Sequence, residues 1–166
     1  MKTPLPIFTE EKNLMELEDE GRTFLLQPNT AESWKAMKAK AASDGIHLYM
    51  VSAFRSIERQ SQIIENKKAK GIPDDEIYAV SAPPGRSEHH TGRAIDLNTV
   101  DCPVLEEEFE DTPAFEWLRE NAASFGFTLS YPRNNPYGIA YEPWHWKFRG
   151  NQAFETARQS TESEPR

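Results

Sequence analysis

Two short segments hold most of the residues able to do chemistry: Ser87-Glu88-His89-His90-Thr91-Gly92-Arg93-Ala94-Ile95-Asp96 and Glu142-Pro143-Trp144-His145. Together they supply imidazoles, a carboxylate ligand and a spare glutamate, the components of a catalytic zinc site. A structural zinc site closes the ion with four protein groups, whereas a catalytic site uses three and leaves a position for water. Three ligands present themselves here: His89, Asp96 and His145. Closed sites draw heavily on thiolates, and this chain has one cysteine, Cys102, and therefore no CxxC pair. A histidine taken alone is more often an ordinary surface or core residue. The combination is what points to a metallohydrolase.

The pattern Ser87-x-His89-x-x-Gly92-x-Ala94-x-Asp96, followed by Glu142-x-Trp144-His145, resembles the signature of the zinc D-alanyl-D-alanine carboxypeptidases of the VanY and VanX kind. The resemblance extends to Ser52-Ala53-Phe54-Arg55-Ser56 with Gln60, and to the runs Phe125-Gly126-Phe127, Ser130-Tyr131-Pro132 and Tyr137-Gly138-Ile139-Ala140-Tyr141. It covers about residues 46–150. It implies that His89, Asp96 and His145 bind one zinc ion, that Glu142 is the general base, and that Arg55 stabilises negative charge on the substrate. Elementary chemistry supports each role. Zinc lowers the pKa of bound water toward roughly 7, so a nearby carboxylate can take its proton. A fixed guanidinium stabilises an oxyanion more than the neutral carbonyl it forms from, which is the requirement for a rate effect.

The motif spacing selects His89 over its neighbour His90, and His47, with no partner pattern, is read as surface or loop. Ser87 and Gln60 match positions that contact the substrate peptide in similar enzymes. Each also has a local reading: Ser87 could cap a turn, and Gln60 could be an exposed helix residue. Tyr131, Tyr141 and the tryptophans are assigned to groove wall and core, because aromatic side chains carry large packing area.

These residues need elements to position them. Alternation over Arg93 to Asn98 predicts a half-buried strand with Ala94, Asp96 and Asn98 on one face and Ile95 and Leu97 on the other. Thr91-Gly92 is a natural turn that could fold His89 back toward Asp96. Pro143 argues against a helix carrying an HExxH-like motif. As a strand, Trp144, Trp146 and Phe148 share an apolar face, while His145, Lys147 and Arg149 share the other. Strict alternation would send Glu142 away from His145, so the chain must bend or bulge around Pro143 if both serve one zinc.

The remaining pattern predicts a helix over about residues 31–43 opened by Thr30, a strand over 48–53, and a helix over 57–70 ending before Gly71. A short helix over 74–80, a helix over 113–124, and strands near 127–130 and 144–148 complete the set. Strands and helices interleave without regular crossover units, so the expected fold is an α+β domain with a small, mainly antiparallel sheet and flanking helices, the zinc lying in a groove on the sheet. Residues 1–29 are expected to be an N-terminal lead segment, 30–154 the peptidase domain, and 155–166, rich in Ser, Glu and Thr, a disordered tail.

The 27 acidic against 19 basic residues leave a formal charge of -8, with an acidic run at Glu106-Glu107-Glu108 and Glu110-Asp111. That balance argues against a nucleic-acid partner. A single cysteine excludes an internal disulfide. The first 21 residues are interrupted by Glu10, Glu11, Lys12, Glu16, Glu18 and Asp19, so neither a signal peptide nor a membrane span is expected there. An enzyme of peptidoglycan would then act on cytoplasmic muropeptides, leave the cell by another route such as lysis, or derive from a shortened precursor. The leading expectation is a monomeric zinc carboxypeptidase that releases a C-terminal D-alanine from peptidoglycan stem peptides or muropeptides. A cell-wall endopeptidase of the endolysin type is the alternative, and a non-catalytic zinc-binding domain a more distant one, since Glu142 is retained and no fourth ligand is evident.

Overall fold

The computed structural model describes residues 2–150, and the tail expected over residues 155–166 lies outside them. Within the stretch read as a lead segment, strands β1 (Met15–Asp19) and β2 (Arg22–Leu26) form an antiparallel hairpin. Its two-residue turn, Glu20-Gly21, has φ of 49° and 83°, the left-handed pair that a tight hairpin twist requires. Leu17, Phe24 and Leu26 enter the core while Glu16, Glu18 and Thr23 face solvent. Asp19 shares the inward face, where its carboxylate accepts from the Met50 backbone N–H at 2.8 Å and from Lys38 Nζ at 2.6 Å. The buried charge is thus paired, and it satisfies a backbone donor of the main sheet.

Helix α1 (Pro28–Ser43) begins earlier than the expected Ala31, with Pro28 in its first turn and Gln27 as cap, the Gln27 side chain accepting from Thr30 N–H at 3.0 Å. Thr30 is instead a buried first-turn residue, and Ala31, Trp34, Met37 and Ala41 continue its row into the core. Strand β3 (Tyr49–Ser52) follows, then α2 (Ile57–Ala69), capped by the Ser56 hydroxyl on Arg59 N–H, and α3 (Asp74–Val80). Strand β4 (Ala94–Asn98) and helix α4 (Pro113–Asn121) lead to β5 (Phe127–Leu129) and β6 (His145–Phe148). The end of the helix expected to run to Ser124 tightens instead into a 3-10 turn over Ala122–Phe125.

The four strands β3 to β6 form an antiparallel sheet in the order β3-β4-β6-β5. The architecture is the expected α+β. One sheet face carries Met50, Ile95, Leu97, Trp146 and Phe148 into a core with α1, α4 and the hairpin. The opposite face carries Asp96 and His145, paired in register across β4 and β6, with Ser52 opposite Asp96 on β3. All five residues of β4 are buried. The half-buried strand that alternation predicts is therefore covered on its polar face too, by walls the local pattern does not encode.

An N-terminal strap ties down the loops beside that face. Thr3 N–H donates to Pro136 O, Phe8 N–H to Gly85 O, and Glu11 N–H to His90 O. Arg86 donates to Leu5 O, and the Glu10 carboxylate accepts from Ile57 N–H at the start of α2. Phe8 lies under Lys147, 4.8 Å from ring centroid to Nζ.

Candidate active site

Asp96 and His145 face each other as cross-strand partners on β4 and β6, so the sheet register alone fixes two of the three candidate ligands. His89 comes from a 3-10 turn over Glu88–Thr91 that ends on Gly92 at φ 67°. A Cβ at Gly92 would sit 2.7 Å from Leu14 and 3.1 Å from the Gln27 backbone nitrogen, so both the conformation and the space demand glycine. The turn brings His89 Nε2 to 3.2 Å from one Asp96 oxygen, while His145 Nδ1 lies 3.1 Å from the other. The imidazoles meet edge to face at 4.9 Å, and one donor atom from each of the three residues lies within 4.8 Å of the others.

The far nitrogen of each ring is fixed. His89 Nδ1 donates to Ala53 O at 2.7 Å, leaving Nε2 for the cluster. His145 Nε2 meets the Glu88 carboxylate at 2.8 Å, leaving Nδ1. Such partners set tautomer and ring orientation in metal centres. Two aimed imidazole nitrogens and a carboxylate, buried beside a groove, make a donor set that suits zinc with an open position. Burial works against ionisation of Asp96, but the electrostatic interaction with His89 and hydrogen bonds from both rings outweigh it and hold the carboxyl well below its usual range. Burial likewise opposes charge on His145, yet its hydrogen bonds to Asp96 and Glu88 raise it to about 10. Glu88, opposed by burial and favoured by the His145 hydrogen bond and charge, falls to about 2.

Glu142 reaches the same spot because the chain turns at Pro143-Trp144: His145 N–H donates to Glu142 O at 3.3 Å, and Glu142 N–H donates to Tyr131 O. The bend demanded by the alternation argument is this turn. It places a Glu142 carboxylate oxygen 3.7 Å from His145 Nδ1. Burial pushes Glu142 up to about 7, with His145 opposing the shift and Asp96 and Glu88 adding to it.

Arg55 leaves β3 toward the same groove. Its guanidinium donates to Gln60 Oε1 at 3.0 Å and to Ser52 Oγ at 3.2 Å. Its backbone is held as well, the N–H on His89 O and the carbonyl accepting from His90 Nδ1 at 2.7 Å. His90 accepts the Gly85 N–H on its other nitrogen and is fully buried, with burial lowering its pKa. His90 is therefore a neutral brace for the Arg55 backbone, turned away from the ligand cluster. His47 is exposed and pairs with Glu20 at 2.6 Å.

Gln60 is 2% exposed, not the exposed helix residue of the local reading, and its amide donates to Ala82 O at 2.7 Å. Ser87 does cap a turn, on His89 N–H at 3.2 Å, and it also lines the groove. The groove encloses about 480 Å³, and Arg55, Gln60, Ser87, His89, Asp96, Glu142 and His145 all contribute to its lining. Tyr131 forms wall, its ring 4.8 Å from that of His145. Sequence reasoning missed Glu88, which sits beside one candidate ligand, His89, in the chain but partners another, His145, in space. A charged residue next to His89 in the motif was its only signal.

The profile of the VanY family, described as D-alanyl-D-alanine carboxypeptidase, matches residues 23–151. A D-alanyl-D-alanine carboxypeptidase of Enterococcus faecalis is 33% identical over 123 residues, covering 68% of this chain and 44% of that one. The chain thus spans somewhat less than half the length of that relative. Among solved structures, the LdcB LD-carboxypeptidase superposes with a TM-score of 0.71 at 30% identity, covering 96% of this chain and 74% of LdcB. A VanY D,D-pentapeptidase variant from a VanB-type resistance cassette, solved with Zn(II), gives 0.69 at 28% identity, covering 94% and 88%.

Proposed function

The chain belongs to the VanY family of D-alanyl-D-alanine carboxypeptidases, and from that premise we propose that it is a zinc-dependent carboxypeptidase that removes a C-terminal D-alanine from peptidoglycan stem peptides or muropeptides. The observation that carries this reading is the convergence of His89, Asp96 and His145 on one point of the groove, with Glu142 and Arg55 beside it. In this reading the three residues hold the ion, which when bound supplies water activation and Lewis acidity. Glu142 accepts the proton of the attacking water as the oxygen adds to the peptide carbonyl. It then returns that proton to the departing amine as the C–N bond breaks. Arg55, braced by Gln60, Ser52 and the His90 contact, faces the oxyanion of the tetrahedral intermediate. Ser87 and Gln60 complete the peptide-binding wall. The protein acts as a monomer, and no helix among the described residues is long and apolar enough to cross a membrane.

Mass spectrometry of defined muropeptides after incubation with the zinc-loaded protein tests the reading. Loss of a single alanine is expected, whereas internal cleavage or no cleavage would reject it. Arg55→Lys is expected to lower kcat about 10²-fold with zinc content unchanged, the scale for removing one oxyanion donor, because lysine cannot keep the planar fork shared between Gln60 and Ser52. A shift in KM alone would make Arg55 a substrate anchor instead. Glu88→Gln keeps the side chain's size but removes the charge facing His145 Nε2, and zinc affinity is expected to fall about 10- to 100-fold, the usual effect of losing a ligand's hydrogen-bond partner. Competition against a chromophoric chelator measures it, and unchanged affinity would leave Glu88 a packing residue.

A further inference from the structure

We propose that Lys67, seated on Ser81, is the anchor for the terminal carboxylate of the substrate peptide, and so the residue that makes this groove select chain ends over internal bonds. The inference rests on the carboxypeptidase reading above and assigns a subsite within the same groove.

Helix α2 presents Gln60, Ile63 and Lys67 to the groove at helical spacing. Gln60 holds Arg55 at the ligand end, and Lys67 lies two turns further along, about 10 Å by helix rise. Its ammonium donates to Ser81 Oγ at 2.6 Å. An ammonium carries three donors, and among the described residues Lys67 forms no ion pair. Burial depresses its pKa, the Arg55 charge adds to that, and Glu142 opposes it, so the ammonium is partly desolvated.

Two cations, Arg55 and Lys67, therefore line one groove in a chain whose formal charge is -8. Neither has a carboxylate partner at ion-pair distance among the described residues. Arg55 is committed to the reacting carbonyl in the proposed mechanism, which leaves Lys67 for the anion the ligand brings. A charge left half-buried and unpaired is costly, and a peptide ending in a carboxylate removes that cost, whereas an internal residue or an amide does not. Ile63 and Val80, the latter 53% exposed, line the groove with Lys67 and Ser81 and offer apolar contact to a side chain as small as a methyl group.

The test compares a peptide ending in D-alanyl-D-alanine with its C-terminal amide in two readouts: hydrolysis by the zinc-loaded protein, and equilibrium binding to the Glu142→Gln variant. The free acid is expected to be preferred about 10- to 100-fold, the scale for a hydrogen bond to a charged group. Lys67→Met should bring the free acid down to the level of the amide while binding of the amide stays the same. A Lys67→Met variant that keeps the wild-type preference would overturn the assignment, as would one that loses both ligands equally, since the residue would then only support the groove. Absence of any preference for the free acid would overturn it as well. If the wild-type protein cleaves neither peptide, the carboxypeptidase reading fails by itself, and the binding comparison still decides the role of Lys67.

Discussion

Glu142→Gln is expected to lower turnover about 10²-fold or more while zinc stays bound, the scale for loss of a general base. The amide keeps the size of the carboxylate and much of its hydrogen bonding but cannot take up a proton. Burial pushes Glu142 up to about 7, and a base works best when its pKa lies near the working pH. Its hold on position comes from backbone bonds to Tyr131 and His145 on either side of the Pro143 turn, none of which depends on the carboxylate. The variant should therefore fold and bind metal normally. Steady-state hydrolysis beside a zinc assay decides the matter, and near-wild-type turnover with zinc bound would strike Glu142 from the base role.

A comparably large effect is expected from His89→Ala, Asp96→Ala and His145→Ala, each of which should lose most bound zinc and with it activity, because three protein ligands leave no reserve. Asp96 is the most exposed to this argument, as its two oxygens face one imidazole each, at 3.2 and 3.1 Å. Metal analysis of the purified variants measures the loss. Full occupancy in any of them would remove that residue from the ligand set.

The placement of the candidate ligands is legible in the sequence because its constraints are local or periodic. The resemblance names them, and alternation on two strands turns Asp96 and His145 away from the core, while the glycine at position 92 marks the turn that carries His89. The same alternation exposes its own exception at Pro143, where a bend is needed if Glu142 and His145 are to serve one zinc. Glu88 and Lys67 are not legible. Glu88 acts on a residue 57 positions away, and Lys67 on α2 rests on Ser81, the C-terminal cap of α3, 14 positions on. Such pairings arise from the packing of elements and leave no period in the chain. The hairpin at Met15–Leu26 is hidden for a different reason: Glu-Gly is a weak turn signal, and strands of five residues give alternation little length in which to show. The burial of β4 on both faces is likewise a property of what packs over it from distant parts of the chain.

That strap bears on how tightly the groove can hold a ligand. It fastens three separate stretches, the chain at Gly85 to His90, the loop at Pro136 and the start of α2, to one extended segment. Left to themselves, such connections sample many conformations, and a ligand that needs one of them must bear the entropy of choosing it. Here the choice is made during folding, at the expense of global stability and before any peptide arrives. The segments that carry Ser87, His89 and Ala140 enter binding already ordered, so more of the contact energy with a peptide is available as affinity. The strap thus takes no place in the groove lining, yet it sets how much conformational freedom the groove has left to lose.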